Sequence, residues 1–406
     1  MTERLYEADV YMREFQARVL SSEKRGETYE VILDQTAFYP EGGGQSGDRG
    51  TLSFGMGSGK AERLGASSVQ VLDTRERGED IVLVCDGQVP QGAEVTGVLN
   101  WQYRFDRMQN HSGEHIVSGL IHRKYGCNNV GFHMSEDRMT IDLDGEITRE
   151  GLREIEEEAN AIVWQNQEIS TAVYTEAEAE KVDFRSKKEL HGAIRVVTIP
   201  GADVCACCGT HVKHTGEIGS IRLIAHERFK GGVRIEMMCG RWAYNYMTRI
   251  FDENHEVSRI LSARPTETGS AAAKAAEDAN RMKYQIIQMN YERIDRKAAE
   301  LTGKGNVLIF ARDFNPVLVQ KLAARVMETC GGTVIAMSGA SGEGYKYAAG
   351  EVDGNLKELI QGMNRSLNGR GGGKPFFQQG SISAEREEAE AYLRGKLEGL
   401  TVCDLE

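Results

Sequence analysis

Two pairs of potential metal-binding side chains stand out in this sequence. His111 and His115 are four residues apart, and so are Cys207 and His211. Side chains four residues apart on a helix lie on the same face, so both imidazoles of the first pair can reach one ion. Imidazole nitrogens together with a thiolate are a donor set that zinc prefers. The two pairs together therefore favour a zinc site.

Glu114 lies directly before the second histidine, and two interpretations of it stay open. Either it acts as a general base beside a metal ligand, or it points to solvent, because adjacent residues of a helix diverge by about 100°. Cys205 and Cys208 flank Cys207. We interpret both as neighbours of the metal that do not bind it.

A glycine-rich segment lies far upstream, at residues 40–50. Five of its eleven residues are glycine, which lets the backbone approach a ligand closely. Its one long uncharged polar side chain, Gln45, can hold a water molecule or a carbonyl group. Composition alone favours the simpler interpretation, which is a turn of a β-barrel.

Basic residues that could contact phosphate groups form two local clusters, although each is a solvated surface by default. The candidates are Arg185, Lys187, Lys188, Arg365, Arg370 and Lys374. The last two belong to the glycine-rich segment 368–375. Such a loop can wrap its N–H groups around a phosphate, or it is a flexible turn. We prefer the second cluster for nucleic acid, because glycines surround it.

The elements that must position these residues change type along the chain. Residues 1–95 contain alternating apolar residues and glycine-rich turns, which predicts a small β-barrel or sandwich. Residues 96–250 are predicted to be α+β. A helix over 101–125, which Gly126 ends, carries the first metal-binding pair. Strands are predicted over 138–143, 193–199, 218–225 and 233–238, with a hairpin turn at 230–232.

The rest of the chain divides into a helical part and an α/β part. Residues 251–303 are predicted to be helical, with Pro265 and Gly269 separating two helices. An apolar stripe over 284–301 either packs on its own domain or pairs with a second chain. A homodimer through the helical or C-terminal region therefore stays open. Residues 304–406 are predicted to form a compact α/β domain.

The composition is that of an ordinary soluble globular protein. The chain has 406 residues, of which 40% are hydrophobic and 27% charged, and this length suggests two to four domains. No apolar run approaches the roughly 20 residues of a membrane span, and the charged N-terminus leads into no signal core. We expect a cytoplasmic protein without a membrane partner. The net charge of −12 argues mildly against nucleic acid but leaves room for a local basic patch.

These motifs resemble those of the alanyl-tRNA editing family. The signature of the editing domain of alanyl-tRNA synthetases, and of the free-standing AlaX proteins, is similar to His111, His115, Cys207, Gly209, Thr210 and His211, followed by Thr-Gly-Glu-Ile-Gly at 215–219. The segments 34–45 and 231–236 also fit. Segment 369–375 resembles the DHH-associated domain, and no class II aminoacylation domain is recognised before the motifs. Cys208, where the family usually has glycine, and Glu114, where threonine or glutamine is common, depart from the pattern.

The resemblance implies a fold and a cofactor site. The fold would be α+β and multidomain, with a β-barrel carrying the glycine-rich loop over 1–95, a zinc editing core of the threonyl/alanyl-tRNA synthetase common-domain type over 96–250, a helical, coiled-coil-like linker over 251–303 and an α/β DHH-associated-like domain over 304–406. One zinc ion per chain would be held by His111, His115, Cys207 and His211.

The resemblance also implies an activity and a substrate. The protein would be a trans-editing aminoacyl-tRNA deacylase that binds the acceptor end of tRNA(Ala) and hydrolyses Ser-tRNA(Ala), with Gly-tRNA(Ala) as a second substrate. A synthetase pocket shaped for alanine cannot strongly reject serine or glycine, so a second hydrolytic site restores fidelity. The candidate catalytic residues are Gln45, Glu114 and Thr210. In this scheme Thr210 contributes to a polar pocket that contacts the serine hydroxyl.

Two other functions remain open from the sequence. The run from His111 to His115 also matches the inverted zinc-peptidase pattern His-x-x-Glu-His. A metallopeptidase of that type usually takes a carboxylate as its third ligand, which the pair of Cys207 and His211 does not provide. The second alternative is a non-catalytic tRNA-binding protein in which four closed ligands make the zinc purely structural.

Overall fold

The computed structural model describes residues 1–55, 67–186, 192–340 and 342–405. Its contacts fall into two units, Met1–His255 and Glu256–Glu406. The fold is multidomain and α+β, as the sequence predicts, while the finer division into four segments remains a proposal. No helix in the described ranges is long and apolar enough to span a lipid bilayer.

A closed β-barrel forms the N-terminal part of the first unit. Its elements are β1 (Glu3–Arg4), α1 (Leu5–Ala8), β2 (Glu14–Arg25), β3 (Thr28–Leu33), β4 (Gln35–Thr36), β5 (Gly50–Phe54), β6 (Ser67–Arg77), β7 (Asp80–Cys85) and β8 (Glu94–Leu99). The barrel order is β2-β3-β7-β6-β5-β8, and β8 pairs with β2 to close it. Alternation along β3 directs Val31 and Leu33 into the barrel core. The predicted barrel is therefore confirmed.

Two antiparallel sheets and a long helix follow the barrel. The elements are α2 (Trp101–Tyr125), β9 (Asn129–Met134), β10 (Met139–Leu143), α3 (Arg149–Trp164), β11 (Ser170–Tyr174), α4 (Glu176–Ala179), β12 (Ile194–Ile199), β13 (Asp203–Ala206), a 3-10 helix (Thr215–Ile218), β14 (Ile221–Phe229) and β15 (Gly232–Cys239). The sheet orders are β14-β15-β10-β9 and β11-β12-β13. Lys230 and Gly231, both with positive φ, form the predicted turn between β14 and β15.

Helix α2 has the predicted bounds but is buried on every side. The Asn100 side chain caps its first turn by accepting a hydrogen bond from the Tyr103 N–H at 3.1 Å, and Gly126 ends it in the left-handed conformation. All residues over 106–121 are buried, although many are polar or charged. Buried polar groups require partners, so this helix is where the first unit concentrates its polar contacts.

Two glycines of α2 let strands approach the helix closely. A Cβ atom on Gly113 would lie 2.3 Å from the Sγ atom of Cys239, which ends β15. A Cβ atom on Gly119 would lie 2.4 Å from the carbonyl oxygen of Ala202, next to β13. Both sheets can therefore pack directly on the helix that carries the first metal-binding pair.

Two long helices follow β15: α5 (Gly240–Leu261) and α6 (Thr268–Glu300). Pro265 lies between them, as predicted. Gly269 does not separate them, because it lies inside the first turn of α6, where the helix tolerates it. Helix α5 also begins about ten residues before the predicted start of the helical segment.

The apolar stripe of α6 divides into two halves. Ile294, Ala298 and Leu301 are buried in the core of the second unit, so this half packs on its own domain. Tyr284, by contrast, is 71% exposed. The sequence could not locate this change, because the spacing of apolar residues is the same in both halves. Pairing with a second chain stays a prediction for the exposed half.

A mixed sheet with flanking helices forms the rest of the second unit. Its elements are β16 (Gly305–Phe310), α7 (Pro316–Cys330), β17 (Gly331–Ala340), β18 (Gly344–Gly350), α8 (Lys357–Ser366), β19 (Arg370–Lys374), β20 (Phe377–Ile382), α9 (Arg386–Arg394) and β21 (Thr401–Asp404). The sheet order is β19-β20-β18-β17-β16-β21. The predicted α/β character of this region is confirmed.

The glycine-rich segment of the second unit is a strand and not a loop. Strand β19 pairs with β20 at the edge of the sheet. Both interpretations from the sequence, a phosphate-wrapping loop and a flexible turn, are therefore wrong for residues 370–374. A Cβ atom on Gly371 would lie 2.3 Å from the carbonyl oxygen of Gln379 on β20. The glycine thus permits close strand pairing.

Candidate metal centre

The two metal-binding pairs meet in the first unit. His111 and His115 project from α2, while Cys207 and His211 belong to the loop that follows β13. The potential ligand atoms of these four residues all lie within 4.8 Å of one another. The Nε2 atom of His111 is 3.5 Å from the Sγ atom of Cys207. Side chains nearly one hundred residues apart in sequence are thus gathered where they could hold one metal ion.

The loop from Cys207 to His211 reaches the helix because it contains Gly209. A Cβ atom at this position would lie 2.1 Å from the Cε1 atom of His111, which leaves no room for any other residue. The Gly209 N–H donates to the Cys207 Sγ at 3.3 Å. This hydrogen bond stabilises negative charge on the sulfur. Gly209 therefore lets the loop approach His111 closely, and its N–H stabilises the thiolate of Cys207.

Each histidine of the cluster is oriented through its Nδ1 atom. His111 donates to the Oε1 of Gln45 at 3.0 Å, and His115 donates to the Oδ2 of Asp203 at 2.8 Å. The Nδ1 of His211 is 3.2 Å from the Oγ of Ser112, which also accepts from the Val212 N–H. In these tautomers the Nε2 lone pairs are free to bind a metal. The Nε2 atom of His211 is buried and has no hydrogen-bond partner, which is the expected state of a ligand atom.

The charges of the cluster are arranged around the thiolate. Burial opposes ionisation of Cys207, but His111 and His115 lower the pKa of its thiol well below the usual value. Burial also opposes charge on His115, yet Cys207 and Asp203 raise the pKa of that imidazole well above the usual value. Burial and the neighbouring His111 lower the pKa of His211 to about 3, so this imidazole is neutral. The cluster thus stabilises positive charge beside the sulfur.

Gln45 holds the glycine-rich loop against the cluster. Its amide Nε2 donates to the Oγ1 of Thr210 at 2.8 Å, while its Oε1 accepts from His111 and from the Thr210 N–H at 3.3 Å. Both Gln45 and Thr210 are buried. Two of the three residues predicted to be catalytic therefore contact each other, and Gln45 also fixes the orientation of a ligand ring.

Glu114 is buried and does not point to solvent, so that alternative from the sequence is wrong. Its Oε1 accepts hydrogen bonds from Ser118, at 2.6 Å, and from Asn129. The cluster of four contains no carboxylate among the described residues. The position where a peptidase of this type usually has a carboxylate as its third ligand is thus occupied here by a thiolate or an imidazole.

Arg185 lies behind the cluster and binds Asp203 through two parallel hydrogen bonds. Its Nε and Nη2 atoms donate to the two carboxylate oxygens at 2.8 Å each. Because the same carboxylate accepts from His115, the guanidinium contacts a ligand through one intermediary. The side chain of Arg185 is 16% exposed, which differs from the open surface cation predicted. Lys187 and Lys188, predicted with it, lie outside the described residues.

A second group of potential ligands surrounds the same carboxylate. His115, Asp203 and Cys205 bring their ligand atoms within 4.8 Å of one another. Arg185 already neutralises Asp203, so binding of a second cation between these residues is electrostatically unfavourable. Cys205 is a neighbour of the cluster, as predicted from the sequence, and burial raises the pKa of its thiol.

The sequence analysis missed Asp203 and Ser112, which orient His115 and His211. Asp203 and Cys205 alternate along β13, and Cys207 follows two residues later, a period of two that predicts one shared face. That periodicity was the available signal for Asp203. Ser112 follows a ligand directly and carries no comparable signal.

The second basic cluster lies on the second unit. Arg365 is exposed on α8, and Arg370 and Lys374 are exposed on one face of β19. Ser381 is the register partner of both Arg370 and Lys346, so these side chains form a row across the sheet. Lys346, which the sequence analysis did not single out, lines a cavity of about 340 Å³ with Arg370.

Three family models match separate parts of the chain. Residues 4–103, which include the barrel, match the class II (A) tRNA synthetases. Residues 194–236 match the second additional domain of threonyl and alanyl tRNA synthetases, and residues 304–394 match the DHHA1 domain. The second match includes Cys207 and His211, and the third includes the second basic cluster.

Similar proteins align along almost the whole chain. Alanyl-tRNA editing protein AlaX-L of Pyrococcus horikoshii is 28% identical over 96% of both chains. The alanine–tRNA ligases of Ignicoccus hospitalis and Pyrobaculum neutrophilum are 29% and 31% identical over 98% of this chain, which spans 43% and 44% of their lengths. A crystal structure of the C-Ala domain of Aquifex aeolicus alanyl-tRNA synthetase matches 24% of this chain and 94% of that domain, at 24% identity with a TM-score of 0.21.

Proposed function

Because this chain belongs to the long-form AlaX family of alanyl-tRNA editing proteins, we propose that it edits mischarged tRNA(Ala) by zinc-assisted ester hydrolysis. The protein is an aminoacyl-tRNA deacylase, and Ser-tRNA(Ala) is its proposed main substrate. Gly-tRNA(Ala) is a second substrate. Its cytoplasmic location remains a prediction, and a homodimer stays open.

The observation that carries the proposal is the convergence of four potential ligand residues, whose histidines already use their other ring nitrogen in hydrogen bonds. Ligands at about 2.0–2.3 Å from one tetrahedral zinc ion lie about 3.5 Å from each other. The separation between the Nε2 of His111 and the Sγ of Cys207 is 3.5 Å. The unpartnered Nε2 of His211 completes the fit. One zinc ion per chain, held by His111, His115, Cys207 and His211, satisfies these buried groups.

Zinc held by these residues would supply a Lewis acid for a carbonyl group and, where one of the four ligands leaves a position open, would activate a water molecule. The residues of the chain contribute position and charge. Gln45 and its loop hold His111 and Thr210 in fixed relation, so the orientation of the aminoacyl ester is set by buried groups. An aminoacyl ester is activated, so accurate positioning supplies much of the acceleration.

Thr210 is the proposed contact for the amino acid side chain. Its hydroxyl accepts from the Gln45 amide and lies 3.2 Å from the Gln45 Oε1, so it must turn from that oxygen to donate to the hydroxyl of serine. A site that hydrogen-bonds a substrate hydroxyl discriminates strongly against analogues that lack it. This accounts for hydrolysis of Ser-tRNA(Ala) in preference to correctly charged Ala-tRNA(Ala).

The direct test is deacylation of purified Ser-, Gly- and Ala-tRNA(Ala) by the full chain, with a peptide substrate assayed in parallel. We expect Ser-tRNA(Ala) to be hydrolysed fastest and the peptide not at all. Equal hydrolysis of Ser- and Ala-tRNA(Ala) would refute the editing role.

The same assay on Glu114→Gln tests whether Glu114 acts as a general base, and retained deacylation would reject that role.

Asp203→Ala is expected to weaken zinc affinity by about ten- to a hundredfold, because a carboxylate that orients a ligating histidine has an effect of this size. Without Asp203 the His115 ring loses its Nδ1 partner. Competition with a chelating dye measures the affinity without reference to catalysis. Asp144→Asn, which changes an exposed carboxylate, is the control. An unchanged affinity in a folded Asp203→Ala protein would contradict the orienting role.

Arg370→Glu and Lys374→Glu are expected to weaken tRNA binding and to flatten its dependence on salt. Each lost phosphate contact lowers the slope of log affinity against log salt by about 0.7–0.9. Arg365 is the other proposed contact on this unit, and Lys187 and Lys188 remain proposed contacts of the first unit, whereas Arg185 is held by Asp203. Lys396→Glu, an equal charge change on an exposed residue of the same unit, is the control. Equal binding by all of these variants would reject the second basic cluster as a tRNA surface.

A further inference from the structure

Arg107 is a buried cation whose hydrogen-bonding capacity is largely unused. Its side chain is 1% exposed, and its Nε and Nη2 atoms are buried without a hydrogen-bond partner. Its Nη1 atom donates to the carbonyl oxygen of Tyr103 at 3.2 Å. Buried charged groups are costly unless they are paired. Two N–H groups of this guanidinium therefore have no hydrogen-bond partner in the protein.

Arg49 and Glu136 complete the surroundings of this guanidinium. Both Arg107 and Arg49 lie against the ring of Tyr103, at 3.1 and 4.5 Å from its centroid. The carboxylate of Glu136 is 2.6 Å from the Nη2 of Arg49 and 3.6 Å from the Nη2 of Arg107. Glu136 is 66% exposed. The exposed Glu136 carboxylate therefore lies where an anion bound by Arg107 would lie, but it is too far from Arg107 for a hydrogen bond.

Tyr103 and Arg107 of this arrangement lie on the helix that carries the first metal-binding pair. Tyr103, Arg107, His111 and His115 recur every four residues along α2, so they share one face of the helix. Arg107 is four residues from His111, a rise of about 6 Å along the helix. Phe132 stacks on the His111 ring at 5.3 Å between centroids, and its strand leads into the turn that carries Glu136.

We propose that Arg107 and Arg49 bind a phosphodiester of a single RNA strand whose 3′ end lies at the metal centre, and that Glu136 occupies this anion site until the strand displaces it. The proposal rests on the proposed deacylase function and assigns the position of its substrate. Residues 49, 107 and 136 form the phosphodiester site.

An aminoacyl-RNA end brings a phosphate close to its ester. The terminal ribose carries the amino acid ester on its 2′ or 3′ oxygen and a phosphodiester on its 5′ oxygen. An ester at the metal centre therefore places a phosphate within one ribose of it. A guanidinium presents parallel N–H donors that match two phosphate oxygens, and Nε and Nη2 of Arg107 are such a pair.

Glu136→Ala gives the first test, because it changes an exposed residue and leaves the core intact. We expect the affinity for a short RNA with the sequence of the tRNA 3′ end to rise about three- to tenfold, measured by fluorescence anisotropy. The reason is that the RNA no longer has to displace the Glu136 carboxylate, and the loss of one competing contact of ordinary strength changes affinity by about this factor. Asp137→Ala is the matched control: it removes the same charge from the next exposed residue. Equal affinities for Glu136→Ala and Asp137→Ala would overturn the proposal.

Arg107→Met gives the second test, because methionine keeps an unbranched side chain against Tyr103 while removing the charge. We expect RNA affinity to fall about tenfold and the salt slope to fall by about 0.7, with a higher KM and a nearly unchanged kcat for deacylation. Arg123→Met, on an exposed residue about four turns along the same helix, is the control. If Arg107→Met fails to fold, the Glu136 comparison decides alone.

The outcomes separate this site from the proposed function. If the protein deacylates Ser-tRNA(Ala) but Arg107→Met and Glu136→Ala leave RNA affinity unchanged, the phosphodiester site is refuted and the function stands. If both variants shift RNA affinity as expected but the unaltered protein deacylates nothing, the site stands and the function fails. Inorganic phosphate that competes as tightly as the RNA would overturn the assignment to a strand.

Discussion

Cys207→Ala is expected to remove zinc from the protein and to lower deacylation of Ser-tRNA(Ala) about a thousandfold, equivalent to about 4 kcal/mol of transition-state stabilisation. The residue supplies the thiolate of the proposed ligand set, and its pKa is held well below the usual value by His111 and His115. Without the sulfur, three imidazoles remain, and the site loses the negative charge of the thiolate that favours binding of the zinc ion. Zinc content by atomic absorption and single-turnover deacylation measure the two effects.

The neighbouring Cys208 provides the matched control. It is exposed, whereas Cys207 is oriented into the cluster and receives the Gly209 N–H. Cys208→Ala should therefore retain both zinc and activity. If Cys207→Ala kept its zinc, the ligand assignment would be wrong. If it lost zinc and still deacylated at the normal rate, the zinc would be structural, which is the non-catalytic alternative for the metal.

The ligand pairs could be recognised from the sequence because their spacing is local. One helical turn brings His111 next to His115 whatever the rest of the fold does. The groups that orient these ligands are not local: Asp203 is 88 residues from His115, and Gln45 is 66 residues from His111. Which side chain meets each Nδ1 atom depends on how the barrel and the sheet containing β13 pack on α2, and no periodicity encodes this.

Charged residues were the hardest to interpret, because a sequence shows charge but not its partner. Arg185 belongs to a basic run and was predicted to face nucleic acid, yet it is bound to Asp203. The sequence around Arg107 carries no signal in an acidic protein, and the burial of its side chain is what makes it notable. The glycine-rich segment at 370–374 became a strand because β20 offers it hydrogen bonds, and strand formation depends on such neighbours more than on composition.

Arg104→Met is expected to destabilise the first unit by about 3–5 kcal/mol, the usual effect of removing one partner from a buried ion pair. Arg104 and Asp48 are both fully buried, and the Nε of Arg104 is 2.7 Å from the Oδ2 of Asp48. The arginine also donates to the carbonyl oxygens of Val10 and Ala37. Its loss leaves Asp48 as an uncompensated charge inside the protein.

Urea unfolding followed by tryptophan fluorescence measures this effect selectively. The three tryptophans are Trp101, Trp164 and Trp242, and all belong to the first unit. The signal therefore excludes unfolding of the second unit. Arg77→Met, which breaks an exposed ion pair of the barrel with Glu30, is the control and should leave the midpoint unchanged.

A second variant separates the charge effect from a loss of packing. Arg104→Met combined with Asp48→Leu replaces both charges by apolar groups, so it should regain much of the stability lost in Arg104→Met. Equal stability of the single and double variants would show that the ion pair is not the cause. Asp48 also accepts from the Tyr39 N–H at 2.7 Å, at the start of the glycine-rich loop. That loop carries Gln45 to His111, so the double variant should fold well yet bind zinc more weakly. Asp48 affects stability through its charge pair with Arg104, and it affects ligand orientation through its hydrogen bond to the loop.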